Sequence, residues 1–214
     1  MARKFDVKQL LILSILLFAI AAFASEIREF DLKTIERLGN ELTRLSQTPD
    51  HGATTAAKRR AKETAVAALQ GKLYDGVRYD WVVLDDPTRS GFLVYALAVA
   101  TKKGDVTTGG HYRVSTSADG SVAKRVDLLS QLIHQSPPDP GNQLAGIAAS
   151  QIAGKLPVET WIYSSDLYHV PMFVAIMADG SIWGVANGRI VRADKKGPKN
   201  HLDILNKKAP EVPQ

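Results

Sequence analysis

The fold of this chain is decided by residues 91–122, which read GFLVYALAVATKKGDVTTGGHYRVSTSADGSV. Phe92–Ala100 is apolar on both faces, and this predicts a central strand that is covered on both sides. From His111 onward polar and apolar residues alternate as far as Asp119-Gly120, a strong tight-turn signal between antiparallel strands. The stretch therefore predicts an antiparallel β-meander.

Upstream of this meander the pattern is helical. Asp31 is followed by apolar residues at three- and four-residue steps, which predicts an amphipathic helix capped by Asp31. A second helix is predicted over 54–69, because that stretch is rich in Ala and Lys and is followed by Gly71. Residues 77–84 alternate and predict the strand that precedes the central one.

Downstream, residues 136–141 read SPPDPG and mark a module boundary, since three prolines in four residues fit neither a helix nor a central strand. Short helices are predicted over 126–133 and 143–153. The strands of the second module are predicted over 158–163, 172–177, 182–186 and 190–191, with tight turns at Asp179-Gly180 and Asn187-Gly188.

Together these elements predict an α+β fold in which N-terminal amphipathic helices pack on antiparallel sheet built from two meander modules. The predicted segments are a signal peptide at 1–24, a helical segment at 25–72, a first β-meander module at 73–135, a second α/β-hairpin module at 136–194 and a polar tail at 195–214. Residues 25–194 could form one domain. The hydrophobic content of 45% in 214 residues indicates a globular protein, and the absence of Cys excludes a disulfide scaffold, a thiolate metal site and a cysteine nucleophile.

The N-terminus has the pattern of a signal peptide. Arg3, Lys4 and Lys8 precede an apolar run over 10–20, and a small-x-small site ends at Ala24. The apolar stretch of about 15 residues is shorter than the roughly 20 that a spanning helix needs. We therefore expect cleavage after Ala24 and a periplasmic or secreted protein. The alternative is an uncleaved N-terminal anchor, which would then be the only membrane contact.

The charge of the chain argues against nucleic acid as a partner. The formal net charge is +5, and without the three basic residues and one acidic residue of the leader, 24 basic and 21 acidic residues leave +3. This excess is modest, and the sequence contains no dense basic stripe with interleaved aromatic residues.

Two histidines are the natural candidates for chemistry. His111 and His169 each stand beside a tyrosine at or near the start of a predicted strand. If the modules pack side by side, both rings could meet at one seam and bind zinc with Asp166 or Glu159. The alternative places each ring on a polar strand face in solvent. Because no H-x-x-x-H, H-E-x-x-H or G-x-S-x-G motif occurs, the sequence assigns no metal site, no cofactor and no catalytic residue.

Aromatic residues concentrate in the second module and suggest a different kind of site. By alternation Trp161 and Tyr163 share a strand face with Glu159. Such aromatic faces hold peptides, glycans and partner proteins, and they equally form the core of a sheet under a helix. Both interpretations stay open at this point.

The sequence also contains an internal echo. Residues 112–122 and 172–182 share a Val followed by Ala-Asp-Gly-Ser and an aliphatic residue, at an offset of sixty positions. A duplication would produce two related meanders that share one sheet. The alternative is that hairpin chemistry selected Asp-Gly twice.

The leader, FDLKTIERLGNEL at 30–42, GFLVYALAVAT at 91–101 and GGHYRVSTSADGSV at 109–122 resemble an uncharacterised family of exported proteobacterial proteins. The resemblance covers roughly residues 30–129, and residues 156–185 are similar to the C-terminal parts of such proteins. It implies bacterial export and the hairpins, and it implies no activity, ligand or catalytic residue.

The function favoured by the sequence is therefore a non-enzymatic periplasmic or envelope module. It would bind an envelope protein partner or a small ligand through its sheet or sheet edge. One alternative is a small envelope enzyme, hydrolytic or metal-assisted, that uses His111 and His169. A second alternative is a membrane-tethered envelope component with an uncleaved N-terminal helix.

Overall fold

The computed structural model describes residues 26–102, 104–135 and 144–193. In this part of the chain the helices are α1 (Leu32–Ser46), α2 (Ala56–Ala68) and α3 (Thr160–Tyr168). The strands are β1 (Arg78–Asp85), β2 (Phe92–Val99), β3 (Val106–Thr108), β4 (Tyr112–Thr116), β5 (Ala123–Leu128), β6 (Ile133–Gln135), β7 (Ile147–Gln151), β8 (Met172–Ile176), β9 (Ile182–Ala186) and β10 (Arg189–Arg192). The α+β class is thus confirmed, whereas the leader, the proline-rich boundary and the polar tail lie outside the described residues.

The strands form two four-stranded sheets and a small ribbon. The first sheet has the order β1-β2-β4-β5 and is antiparallel throughout, as the meander prediction requires. The second sheet has the order β10-β9-β8-β7; its pairs are antiparallel except for β7 and β8, which run parallel. Strands β3 and β6 form a separate antiparallel ribbon.

Helices and sheets alternate in four layers. Helix α2 covers one face of the first sheet, and α1 and α3 fill the space between the other face and the second sheet. Strand β2 lies between these layers and contributes side chains to both. Val94 and Ala96 pack toward α2, while Leu93 and Tyr95 pack toward α1 and α3. The prediction of a central strand buried on both faces is confirmed.

Helix α1 has both the N-terminal cap and the apolar stripe that the sequence predicts. The side chain of Asp31 accepts a hydrogen bond from the Thr34 amide at 2.9 Å, which satisfies one of the free N–H groups of the first turn. Leu38 and Leu42 are fully buried between the sheets. At Gly39 the helix touches α3 so closely that an added Cβ would lie 2.6 Å from Ile162 Cβ.

Two predicted helices are strands. The stretch 126–133 contains the end of β5 and the beginning of β6, and the described part of 143–153 contains β7. In β7 the buried residues Ile147, Ala149 and Gln151 alternate with exposed ones, so the period of two outweighs the helical propensity of its alanines.

The strand predicted over 158–163 is a helix. Helix α3 lies between the two sheets, and its first six residues are all buried. A helix covered on every side has no polar stripe, and therefore shows no period of 3.6 in its sequence. For this reason the alternation of Glu159, Trp161 and Tyr163 predicts a strand where the structure has a helix.

The two Ala-Asp-Gly-Ser turns close hairpins that lie in different sheets, so the shared sheet expected of a duplication is absent from the described structure. Both turns use the same local chemistry. Asp119 Oδ1 accepts from the Ser121 amide at 3.1 Å, and Asp179 Oδ1 accepts from the Ser181 amide at 3.0 Å. None of the described helices is long and apolar enough to cross a membrane.

Candidate functional site

The aromatic face predicted from alternation is part of the core. Glu159, Trp161 and Tyr163 belong to the start of α3 and are all at most 2% exposed. Trp161 Nε1 donates to Gln151 Oε1 at 2.8 Å, and the same oxygen accepts from the Val158 amide at 3.0 Å. These three side chains hold the helix against the sheets and form no exposed aromatic face; Tyr163, 2% exposed, reaches only the wall of a cleft that it lines together with Tyr168.

His111 is a neutral core residue, so the solvent-exposed alternative is wrong for it. Its Nδ1 accepts from the Ala98 amide at 3.0 Å, which leaves the ring proton on Nε2, 3.3 Å from Ser164 Oγ. The ring stands edge-on to Tyr163, with 6.0 Å between centroids. Burial lowers the pKa of His111 to about 3, because the charged form of the ring loses its hydration in the core.

His169 and Asp166 lie near the other end of α3. His169 is the exposed C-cap residue, with a φ of 55°. Asp166 accepts from Thr43 Oγ1 at 3.2 Å, and burial raises the pKa of its carboxyl. Within the described residues no three His, Asp or Glu side chains come together as a possible metal site. The predicted seam of His111, His169, Asp166 and Glu159 is therefore not assembled there.

A buried ion cluster that the sequence did not predict joins the first sheet to α3. Arg113, on β4, bonds Glu159 Oε1 at 2.7 Å and Asp127 Oδ2 at 2.9 Å. Tyr95 donates to the same Glu159 oxygen at 2.7 Å. Burial alone would lower the pKa of Arg113, but the charge of Glu159 and the other partners hold it above its usual value.

This cluster is structural, since each of its four side chains is at most 3% exposed. Its sequence signal was the polar alternation of β4, which normally indicates a strand face in solvent. This face of β4 can be buried because acidic side chains on other elements pair with its charge.

The surface of the second sheet that points away from α3 is exposed and apolar. We call it the open face; by alternation it consists of Ala148, Ser150, Ile152, Phe173, Ala175, Met177 and Ile182. Seven large apolar residues of the described chain are markedly exposed, and four of them lie on the open face. Contiguous exposed apolar surface is typical of interaction sites in soluble proteins.

The open face ends at an uncharged edge strand. Strand β7 (IAASQ) is outermost in its sheet, and β7, β8 and β9 contain no charged residue and no proline. Charges and prolines are the usual protection of sheet edges against pairing with other chains. The Ile147 amide bonds Pro171 O and the Gln151 carbonyl accepts from Met177, so the intervening backbone groups of Ala148 and Ser150 point away from β8.

A second feature is a cleft of about 270 Å³ beside the β3–β6 ribbon, lined among others by Val99, Lys102, Asp105, Thr107, Leu132 and His134. His134 Nδ1 lies 3.2 Å from Thr107 Oγ1, and His134 Nε2 lies 3.3 Å from Asp105 Oδ2. The sequence did not single out these residues, because Asp105 and His134 are 29 positions apart and only the ribbon register makes Thr107 face His134.

A neighbouring cleft of about 310 Å³ shares Val99 with the first and contains Arg78, Asp80 and Tyr168. The Tyr168 hydroxyl accepts from the Thr107 amide at 2.9 Å and donates to the Thr107 carbonyl at 3.0 Å. Helix α3 thus fixes the backbone of β3 between the two clefts.

No protein-family model matches the chain. Neither the curated proteins nor the solved structures include a significant match to it.

Proposed function

We propose that this chain is an exported protein of the bacterial envelope that binds a partner protein through the open face and the β7 edge. The observation that carries this proposal is the concentration of exposed apolar side chains on the part of this surface formed by β7, β8 and β9, which contain no charged residue; the exposed Arg189 lies on the same face at β10. The first sheet provides the internal comparison, because helices cover both of its faces. A matching cover for the open face is absent among the described residues.

The partner chemistry follows from the edge. The backbone groups of Ala148 and Ser150 offer hydrogen bonds to an added strand, and the side chains of Phe173 and Ile182 lie on the same face for apolar contact. Strand addition of this kind draws affinity from backbone bonds and specificity from alternate side chains. The partner is therefore a protein segment that binds in extended conformation with apolar side chains on one face.

Export is supported by the leader pattern and by the resemblance to exported proteobacterial proteins. We expect N-terminal sequencing of the protein from envelope fractions of its source organism to begin at Ser25. A chain that begins at residue 1 or 2 and sediments with membranes would favour the tethered alternative instead.

Site-specific photocrosslinking tests the binding surface. A photoreactive amino acid at position 182 is expected to give a discrete crosslinked product in cells. The same amino acid at Val122, which is also exposed but lies in the first hairpin, is expected to give none.

The substitution Ser150→Pro distinguishes a partner that pairs with the β7 edge from nonspecific crosslinking. It removes an N–H that points away from β8 and leaves the β7–β8 hydrogen bonds in place. The crosslink at position 182 should disappear in Ser150→Pro and persist in Ser150→Ala, with unchanged thermal unfolding. Equal crosslinking at positions 122 and 182 would contradict the proposal. A crosslink from position 182 that persists in Ser150→Pro would contradict it too, as would a crosslink from position 173 that persists in Ile182→Lys.

A further inference from the structure

We propose that Thr107, His134 and Asp105 form a nucleophile–base–carboxylate relay that transfers a small acyl group from an ester to water. The three side chains come from the β3–β6 ribbon and the residue just before it. This activity would be additional to partner binding, and it uses a different surface of the molecule.

The hydrogen-bond geometry selects the tautomer that a general base needs. Asp105 Oδ2 lies 3.3 Å from His134 Nε2, within ion-pair distance, and its negative charge favours a proton on that nitrogen. His134 Nδ1 is then free to accept from the Thr107 hydroxyl at 3.2 Å. A hydroxyl bonded to a base that is itself oriented by a carboxylate is the arrangement of an activated nucleophile.

The environment of the relay favours chemistry over a simple surface contact. Thr107 is only 4% exposed, and it lines the cleft. Its backbone is held on both sides by the Tyr168 hydroxyl, which limits the motion of the nucleophile. Asp105 is largely buried whereas His134 is half exposed, so substrate can approach the ring from solvent.

The reaction balances with an ester and water as the only reactants. Thr107 Oγ1 attacks the carbonyl carbon while His134 Nδ1 takes the hydroxyl proton; the C–O bond to the leaving alcohol then breaks as His134 returns that proton to it. Water, deprotonated by the same nitrogen, then attacks the acyl carbon; the bond between that carbon and Thr107 Oγ1 breaks as His134 returns the proton to Oγ1, and the carboxylic acid leaves. The Lys102 side chain, in the cleft lining, supplies positive charge for the oxyanion.

The cleft volume restricts the acyl group. A space of about 270 Å³ is at the small end of ligand pockets, so a short acyl chain fits and a long lipid chain does not. Apolar side chains of Val99 and Leu132 line it beside the charged residues.

The test uses the purified chain and p-nitrophenyl acetate, followed by acid quench and peptide mass analysis. We expect hydrolysis above the rate of uncatalysed buffer, with an acetyl group on Thr107. Thr107→Val has nearly the same shape without the hydroxyl and should lower the rate by about a hundredfold, as should His134→Gln. Thr107→Ser should restore most of the activity, and His169→Gln is the control for reaction of an exposed histidine.

Three results would overturn the proposal. The first is a wild-type rate equal to that of Thr107→Val. The second is loss of activity in His134→Gln but not in Thr107→Val, which would make the imidazole itself the reacting group. The third is acetylation confined to lysines or to His169. Thermal unfolding of each variant shows whether a lost rate reflects a lost fold. If Thr107→Val or His134→Gln does not fold, the rates of two other variants test the proposal: Thr107→Ser should keep most of the activity and Asp105→Asn should lose it.

Discussion

At the scale of single residues, Arg113 is the charge on which the middle of the molecule depends. Its guanidinium neutralises Glu159 and Asp127, both buried. Arg113→Met keeps much of the volume but leaves Glu159 without its cation and Asp127 with only the partly exposed Arg125. We expect a loss of about 3–5 kcal/mol in the free energy of unfolding, measured by urea denaturation.

The matched control for this change is Arg37→Met. Arg37 pairs with Glu41 at 3.6 Å on the exposed side of α1, where solvent screens the interaction. Its removal should change stability by less than about 0.5 kcal/mol. Equal effects at the two arginines would mean that the buried cluster is not electrostatically coupled.

His111 makes stability depend on pH. Burial lowers its pKa in the folded state to about 3, whereas in the unfolded chain it titrates near its ordinary value of 6.5. Between these values the unfolded state binds the additional proton, so this contribution to stability falls as the pH falls. The variant His111→Gln lacks this pH-dependent contribution to stability. From pH 7 to about pH 4 the stability difference between wild type and variant should narrow by roughly 3 kcal/mol. A difference that does not change with pH would contradict a buried neutral imidazole.

At the scale of elements, the two turns with the sequence Ala-Asp-Gly-Ser allow a matched comparison. Gly120 and Gly180 have φ of 75° and 71°, which makes alanine unfavourable at both by about 1 kcal/mol. An added Cβ at Gly120 would lie 2.3 Å from the Ala57 carbonyl oxygen of α2, while at Gly180 it would meet nothing within 4 Å. Gly120→Ala should therefore destabilise the protein by about 1–3 kcal/mol more than Gly180→Ala in thermal unfolding. Equal losses would mean that the first hairpin does not dock on α2.

At the scale of the whole molecule, one apolar core connects both sheets through α1 and α3. Leu42→Ala, at a fully buried position of α1, should cost about 2–5 kcal/mol. Because the core is shared, amides of β2 and β8 should lose hydrogen-exchange protection together. Val66→Ala, on the exposed side of α2, is the control and should leave both unchanged. Loss of protection in one sheet only would show two independently folding units.

The candidate sites could be anticipated only in part from the sequence. Three of its candidates, His111, Glu159 and Trp161, are buried, because the alternation that placed them on strand faces cannot show which other elements cover those faces. The relay of Asp105, Thr107 and His134 had no local signal, since its members meet through strand pairing between distant segments.

The sequence by itself determined the local elements whose signals are local: the Asp31 cap, the apolar stripe of α1, the doubly buried β2 and the Asp-Gly turns. Tertiary structure decided the rest. The first six residues of helix α3 are all buried and so show no amphipathic period, and β7 pairs in parallel with β8, a partner that its own sequence does not indicate. Backbone hydrogen bonds within a turn or helix join neighbours in the chain, whereas strand pairing and layer packing join residues far apart in it, and a local pattern contains no information about those partners.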